Sequence, residues 1–218
     1  MLPLRLDLPT GDRGLTILAL GAHADDIEIG CGATILRLAE LAPASVVHWV
    51  VFSGDGTRAQ EAEASAAEFL GGFASSQVVL RQFRDGYLPY EGGAVKDVFE
   101  SLKAEVLPDL VLTHQRDDLH QDHRLVCELT WNTFRDHLVL EYEVPKYDGD
   151  VGRPNVFVHV SEELAARKVQ ALRAHFSSQL DKRWFTDDLF GAMLRLRGME
   201  PNSPSGLAEA FYGRKVVL

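Results

Sequence analysis

Short apolar runs alternate with amphipathic segments along most of the chain. Five runs have the β-branched, apolar character of buried strands: residues 15–20, 46–52, 78–83, 110–113 and 138–142. Four intervening segments have the spacing of helices: residues 33–41, 60–70, 94–106 and 122–134. A sixth strand over 155–160 and a helix over 161–176, with Ser161 as its N-cap, follow. This alternation predicts parallel strands joined by right-handed helical crossovers.

The predicted fold class is α/β, a Rossmann-like three-layer sandwich with a mostly parallel sheet. No internal repeat and no interdomain linker interrupts the pattern, so residues 1–218 are expected to form a single domain. Proline and glycine predict loops over 145–154 and 201–206.

Composition narrows the class of protein. The 218 residues are 46% hydrophobic and 25% charged, which is typical of a soluble globular chain. Cys31 and Cys127 are far apart, so we expect neither a disulfide framework nor a cysteine metal site, and a cytoplasmic location fits best. Residues 15–22 are too short a run to cross a membrane, and Arg5 and Asp7 interrupt the N-terminus where a signal peptide is apolar. A formal charge of -10 argues against nucleic-acid binding.

The first group of residues suited to chemistry follows the first predicted strand. It contains His23, Asp25, Asp26 and Glu28. Ligands of open α/β sheets bind at the carboxyl ends of strands, so these side chains point toward a crevice. His23 and Asp26 are three residues apart and share one side of a turn, while Asp25 points elsewhere. One nitrogen and one carboxylate are thereby available to a metal ion, with a second carboxylate nearby.

A second group follows the predicted strand 110–113. Three of the eight histidines, His114, His120 and His123, lie within it, together with Asp122. Either His120 or His123 is placed to complete a site with His23 and Asp26. Three protein ligands and an open position are typical of catalytic zinc, whereas structural zinc sites are closed by four.

Two simpler interpretations compete with a metal site. Histidines and aspartates near helix starts often serve only as caps or complement the helix dipole. Gly21, Gly30 and Gly32 suggest a nucleotide-binding turn, but their spacing does not match the phosphate-binding patterns, and close helix-to-sheet packing explains them more simply. A metal-free nucleotide-binding or regulatory module is the alternative from another class of function.

Both groups resemble motifs of the LmbE-like and PIG-L-like N-acetyl-sugar deacetylases. The family motif A-H-P-D-D-x-E is similar to residues 22–28, Ala-His-Ala-Asp-Asp-Ile-Glu, and its H-P-D-H motif is similar to residues 120–123, His-Gln-Asp-His. Ala24 and Gln121 replace the two prolines. Because neither position supplies a ligand, we expect slightly looser loops and unchanged chemistry.

The resemblance implies a metal-dependent amide hydrolase that acts on carbon-nitrogen bonds other than peptide bonds. By resemblance, His23, Asp26 and His123 bind zinc, with ferrous iron as the less favoured metal, and Asp25 is the general base. The expected reaction removes the N-acetyl group from an amino sugar or glycoconjugate by attack of activated water. A thiol-pseudodisaccharide deacetylase or conjugate amidase is the alternative that the same site supports.

The resemblance also implies roles around the metal. By resemblance, His120 steadies the transition state, and we expect it to do so in its protonated form. Apart from the resemblance, a carboxylate beside an imidazole raises the affinity of the ring for its proton, so Asp122 is expected to hydrogen-bond to His120 as a third catalytic residue. Arg58 and Asp85 align with substrate-contacting positions. The partners implied are a small amino-sugar or glycoconjugate substrate and further copies of the chain in a homo-oligomer.

Overall fold

The computed structural model describes residues 14–217, so Arg5 and Asp7 lie outside the described residues. The strands are β1 (Thr16–Gly21), β2 (Val46–Val51), β3 (Ser75–Leu80), β4 (Leu110–His114), β5 (Leu138–Tyr142), β6 (Val156–His159) and β7 (Ala208–Gly213). The α-helices are α1 (Asp26–Leu41), α2 (Gly56–Leu70), α3 (Gly92–Glu105), α4 (Gln121–Thr133), α5 (Glu162–His175) and α6 (Asp187–Met199). Short 3-10 helices form at Leu88–Glu91 and Ser177–Gln179. None of the described helices is long and apolar enough to span a membrane.

The seven strands form one sheet in the order β3-β2-β1-β4-β5-β7-β6. The first five in this order are parallel, and β7 is antiparallel to both of its neighbours. The mostly parallel α/β sheet predicted from the sequence is therefore confirmed.

Helices cover both faces of the sheet. Helices α1, α2, α5 and α6 pack on one face, and α3 and α4 pack on the other. The central strand β1 divides its side chains accordingly: Ile17 and Ala19 face the first group, and Leu18 and Leu20 face the second. All four are fully buried, as expected for a strand covered on both faces.

The order of the strands places the two clusters of histidines and aspartates, after β1 and after β4, next to each other. Strand β1 pairs with β2 on one side and with β4 on the other, so the order of strands reverses between β1 and β4. Crevices that bind ligands in doubly wound sheets open at such a reversal, beyond the carboxyl ends of the strands. The loops that follow β1 and β4 both lie at this point.

The structure differs from the predicted elements mainly near α1 and in the C-terminal region. Helix α1 begins at Asp26, seven residues before the predicted start, because its first two turns contain glycines that weaken the helical pattern. Strand β3 lies three residues earlier than predicted, since its exposed first half carries few apolar residues. Helix α6 and strand β7 were not predicted. The sequence of β7, AEAFYG, lacks β-branched residues, so its strand conformation depends on pairing with β5 and β6.

Close packing explains one of the glycines in α1. A Cβ on Gly30 would come 2.1 Å from the Tyr142 ring of β5, so only glycine fits there. The next residue, Cys31, has non-helical dihedral angles and breaks α1. Glu209 of β7 accepts hydrogen bonds from the backbone N–H groups of Ala33 and Thr34, after the break, at 3.0 and 2.6 Å. Before the break, the Lys168 ammonium donates to the Ile29 carbonyl at 2.6 Å.

Candidate active site

The turn between β1 and α1 presents His23, Asp25 and Asp26 at the strand reversal. Its backbone is held by the flanking strands, because Ser53 N–H donates to the Ala22 carbonyl at 2.8 Å and Ala22 N–H donates to His114 Nε2 at 2.9 Å. Within the turn, His23 N–H donates to Asp26 Oδ2 at 2.7 Å. Both aspartates are buried.

The connection from β4 to α4 presents His120 and His123. His120 is the N-cap of α4, and its Nδ1 accepts the Asp122 N–H at 3.3 Å. His123 lies in the first turn of α4 and is 2% exposed, so its imidazole is turned into the crevice rather than toward solvent.

Three ligand atoms from the two loops converge. His23 Nδ1 lies 3.1 Å from His123 Nε2 and 3.3 Å from Asp26 Oδ2, and the last two atoms are 3.4 Å apart. Donor atoms bound about 2.0–2.1 Å from one tetrahedral zinc ion lie about 3.3 Å from each other. Two imidazoles and one carboxylate are a donor set suited to zinc or ferrous iron, so these residues fit the metal that the sequence implied.

The outer nitrogens of both histidines meet carboxylates. His123 Nδ1 lies 2.9 Å from Asp118 Oδ2. His23 Nε2 lies 3.2 Å from Asp122 Oδ2 and 3.1 Å from Asp85 Oδ1. Carboxylates in these positions fix the tautomer and the ring orientation of metal-binding histidines. With a carboxylate at each outer nitrogen, the inward-facing nitrogens are the ones available to a metal ion.

Overlapping groups of ligands exist in the described part of the chain. Atoms close enough to share a metal ion also occur in three other trios: His23, His120 and His123; Asp26, His114 and His123; His23, Asp85 and Asp122. The lone pair of His114 Nε2 already accepts the Ala22 N–H, and the Nδ1 of His120 already caps α4. In the described part of the chain, the inward-facing nitrogens of His23 and His123 contact only each other and Asp26. Asp26 Oδ2 also accepts the His23 N–H and lies 3.2 Å from His114 Nε2.

The electrostatics of the crevice favour a bound cation. Burial acts to raise the pKa of Asp26, but the imidazoles of His123, His114 and His23 outweigh it and lower that pKa well below its usual value. Burial acts to lower the pKa of His23, but Asp26, Asp122 and Asp85 raise it well above the usual value. Burial and His114 lower the pKa of His123 to about 3, which leaves its imidazole neutral. The ionised Asp26 therefore attracts positive charge to the point where the neutral His123 imidazole offers a lone pair.

Asp25 lies beside the three ligand atoms without joining them. Arg58 Nη2 donates to Asp25 Oδ1 at 2.9 Å. Burial raises the pKa of Asp25, and the Arg58 guanidinium opposes that change. Arg58 Nη1 also lies 3.5 Å from Glu61 Oε2. Glu61 in turn accepts hydrogen bonds from the backbone N–H and the hydroxyl of Ser178, so Asp25 is connected through Arg58 and Glu61 to the turn after α5.

The state of His120 differs from the sequence expectation. Burial and the charge of His23 lower the pKa of His120, so the imidazole is neutral rather than protonated at neutral pH. With Nδ1 accepting from the backbone, the single proton lies on Nε2. The Asp122 carboxylate also differs: it contacts His23 and the backbone N–H groups of Gly86 and Leu88, rather than the His120 ring.

The residues predicted to contact substrate lie at two sides of the crevice. Asp85 is bonded to His23 Nε2, yet 78% of its side chain is exposed. The His23 hydrogen bond lowers the pKa of Asp85 to about 2, which keeps it ionised. Arg58 is part-buried in the first turn of α2, and its guanidinium carbon lies 5.6 Å from the centroid of the Phe176 ring.

Comparison with known proteins identifies the family. The family model for PIG-L, GlcNAc-PI de-N-acetylase, matches residues 18–134, which include both histidine-bearing loops. The chain is also 33% identical over 180 residues to a protein of Escherichia coli K12 named uncharacterized deacetylase YaiS, covering 78% of this chain and 95% of that protein. This chain belongs to the PIG-L family.

Solved structures share the fold of this PIG-L family member. N,N'-diacetylchitobiose deacetylase from Pyrococcus horikoshii has a TM-score of 0.71 at 22% identity, covering 91% of this chain and 83% of its own. The 4-carboxy-2-hydroxymuconate hydratase GalB from Pseudomonas putida has a TM-score of 0.75 at 16% identity, covering 94% and 98%. At such low identity these similarities show the fold alone. A deacetylase and a hydratase share it, so the reaction has to be argued from the site.

Two contributors to the PIG-L site were not predicted from the sequence. Asp118 was visible as an acid in the second cluster, five residues before His123, and its role could have been proposed from that spacing. Lys146 could not, because it comes from the loop after β5 and places its ammonium 2.9 Å from Asp118 Oδ1. Buried Glu28 lies near Asp25 and Asp26. Burial raises the pKa of Glu28 to about 8, so its carboxyl group is protonated at neutral pH.

Proposed function

We propose that this protein is a zinc-dependent hydrolase that removes the N-acetyl group from an amino sugar or glycoconjugate. The observation that carries the proposal is the convergence of His23 Nδ1, Asp26 Oδ2 and His123 Nε2 within 3.1–3.4 Å of one another, with Asp25 beside them. Membership of the PIG-L family supports amide hydrolysis as the reaction.

His23, Asp26 and His123 would hold the metal. A bound zinc ion supplies Lewis acidity, which polarises the amide carbonyl and brings the pKa of a coordinated water to about 7. Asp118, Asp122 and Asp85 orient the two imidazoles through their outer nitrogens.

Asp25 is proposed as the general base that takes a proton from the attacking water. Its carboxylate is next in the chain to a metal ligand, and the hydrogen bond from Arg58 fixes the position of Oδ1. The remaining oxygen, Oδ2, is the atom that would accept the proton. Burial raises the pKa of Asp25 toward the range in which a base also returns its proton efficiently, here to the leaving amine.

His120 is proposed as the donor to the oxyanion that develops on the acetyl carbonyl. Its Nδ1 is occupied by the Asp122 N–H, so its Nε2–H is the group available for donation. The ring lies 4.9 Å from the His23 ring and 4.7 Å from the His123 ring, centroid to centroid, which places it at the edge of the metal site. A preorganised donor of this kind contributes about 2.7–4 kcal/mol to transition-state stabilisation.

Arg58 and Asp85 are proposed as substrate contacts. A sugar presents several hydroxyl groups, which a charged donor and a charged acceptor recognise well. The exposed carboxylate of Asp85 and the partly exposed guanidinium of Arg58 flank the crevice. Loss of either contact is expected to cost about 1–3 kcal/mol of transition-state binding, measured as a lower kcat/KM, while metal content is unchanged.

A substrate panel with metal removal tests the proposed function. We would measure acetate release from N-acetylglucosamine, its disaccharides and its lipid- and thiol-linked conjugates, before chelation, after chelation and after zinc or ferrous iron is restored. The proposal predicts acetate release that chelation abolishes and zinc restores. Release of acetate only from a thiol pseudodisaccharide, or cleavage of a conjugate amide in place of the acetamide, would select the alternative enzyme. Purified protein with neither metal nor hydrolysis of any panel member would favour a metal-free binding module.

A further inference from the structure

The connection between β3 and α3 forms a tight turn at the rim of the site. Tyr87 N–H donates to the Arg84 carbonyl at 3.1 Å, and Gly86, the third residue of the turn, has a φ of +78°. These features are those of a type II turn, in which the third position requires the left-handed conformation that glycine adopts freely. Asp85 occupies the corner of the turn, with its carboxylate 3.1 Å from His23 Nε2.

The first turn of α4 holds Gly86 from both sides. Asp122 Oδ2 accepts the Gly86 N–H at 2.8 Å, and Gln121 Nε2 donates to the Gly86 carbonyl at 3.1 Å. Asp122 Oδ1 also accepts the Leu88 N–H at 3.2 Å. The peptide groups on either side of Gly86 are therefore fixed by two consecutive residues of one helix.

Asp122 and Gln121 differ in what else their side chains contact. The Asp122 carboxylate contacts His23 as well as the turn, so its removal would disturb the metal site directly. The side-chain hydrogen bond of Gln121 goes to the turn. Arg84, Asp85 and Tyr87 are exposed, so little apolar burial holds the turn in place and the polar contacts from α4 matter more.

We propose that Gln121 is a positioning residue for substrate binding, which holds the turn at 84–87 so that the Asp85 carboxylate faces the crevice. The proposal rests on the proposed function, because Asp85 is taken there as a substrate contact. A proline at position 121 has no side-chain donor, whereas glutamine has both the amide N–H and the length to reach Gly86. The loosening expected from the loss of a proline is thus opposed by a new hydrogen bond.

The matched variant is Gln121→Met, which preserves length, volume and helix propensity but removes the donor. Gln121→Asn is the second variant, since it keeps the amide and shortens its reach by one methylene. We expect both to raise KM about three- to tenfold, the range for loss of one hydrogen bond, with kcat within about twofold and metal content unchanged. A lower melting temperature with unchanged KM would overturn the proposal, because it would mean a purely structural role.

A double variant, Gln121→Met with Asp85→Ala, tests whether Gln121 acts through Asp85. In that background, Gln121→Met is expected to cause no further rise in KM. An undiminished rise in KM in the absence of the Asp85 carboxylate would overturn the proposal.

Amide hydrogen exchange gives a readout that does not depend on activity. In Gln121→Met, the N–H groups of Gly86 and Leu88 should exchange about three- to tenfold faster than in the parent, because the turn opens more often. Unchanged exchange at both amides would overturn the proposal. If the parent hydrolyses no member of the panel, the proposed function fails, while the exchange rates still decide whether Gln121 holds the turn.

Discussion

The loop after β1 and the loop after β4 bring similar side chains to the crevice but are anchored in different ways. The first leads into a helix that is broken at Cys31 and stabilised by residues far along the chain, Lys168 and Glu209. The second is stabilised close to His123, where Asp118 contacts His123 Nδ1 and also accepts the His120 N–H. One loop is therefore supported through the C-terminal strand β7, and the other through a carboxylate of its own that also contacts Lys146.

Both anchors are buried, but they contact different groups. Lys168 and Glu209 are 3% and 4% exposed and lie 2.6 Å apart, so the break in α1 is supported by a buried ion pair. Asp118 is also fully buried, but its partners include a proposed metal ligand. We therefore expect damage to the first anchor to appear mainly as lost stability, and damage to the second to appear mainly as weaker metal binding.

The largest expected effect comes from breaking the anchor of α1. Glu209→Ala leaves the Lys168 charge buried and two backbone N–H groups of α1 unpaired, so the free energy of unfolding should fall by about 3–5 kcal/mol. Chemical denaturation measures this change. Glu100→Ala, which removes the exposed partner of Lys96 on α3, is the control and should leave the unfolding midpoint unchanged. A similar small effect for Glu209→Ala would mean that the ion pair does not support the break.

The anchor of the second loop is tested through metal affinity. Asp118→Asn replaces the ionised partner of His123 Nδ1, and the affinity for zinc should fall about 10- to 100-fold. Asp85→Asn is the matched control, because His23 Nε2 keeps Asp122 as a second acceptor, and its zinc affinity should remain close to that of the parent. Competition with a chromogenic chelator gives both affinities. Equal losses in the two variants would contradict the unequal roles assigned to these carboxylates.

The smallest expected effect comes from Glu61. This residue belongs to α2, outside both loops, and its carboxylate lies 3.5 Å from the Arg58 guanidinium. Burial acts to raise the pKa of Glu61, but hydrogen bonds from Ser178 and Ser177 and the Arg58 charge outweigh it and lower the pKa below its usual 4.5. Because the folded pKa is lower than the unfolded one, the carboxylate stabilises the fold above pH 4.5, and this contribution is lost as the pH falls through the folded value.

Glu61→Gln should therefore lower the free energy of unfolding by about 1 kcal/mol at pH 7, and the difference from the parent should shrink below about pH 4. Denaturation of both proteins across this range measures the difference. A difference that stays constant from pH 7 to pH 3 would show that the Glu61 charge contributes nothing.

The sequence predicted the parts of the site that depend on local pattern. Strands β1 and β4 were recognisable, so the polar residues that follow them could be assigned to one edge of the sheet. The choice between His120 and His123 as ligand was open from the residues alone. We favour His123 because the Nδ1 of His120 caps α4, and this contact depends on where the helix begins.

The contacts that distant segments make with the two loops could not be predicted from the same pattern. Glu209 lies on β7, whose strand conformation depends on long-range pairing, and it meets Ala33 across 176 positions of the chain. Lys146 reaches Asp118 from a loop that the sequence shows only as rich in proline, glycine and charge. Such contacts follow from the packing of distant segments, which periodicity along the chain does not encode.

The proposal depends most on the different roles of two adjacent aspartates. Asp26 is proposed as a metal ligand and Asp25 as the general base. We would purify Asp25→Asn and Asp26→Asn, dialyse both exhaustively, and measure metal content by elemental analysis and turnover by acetate release. The account predicts that Asp25→Asn keeps a full equivalent of metal and loses turnover by about a hundredfold or more, since the amide cannot take a proton. Asp26→Asn should lose both metal and turnover. Full metal in Asp26→Asn, or near-normal turnover in metal-loaded Asp25→Asn, would contradict the account.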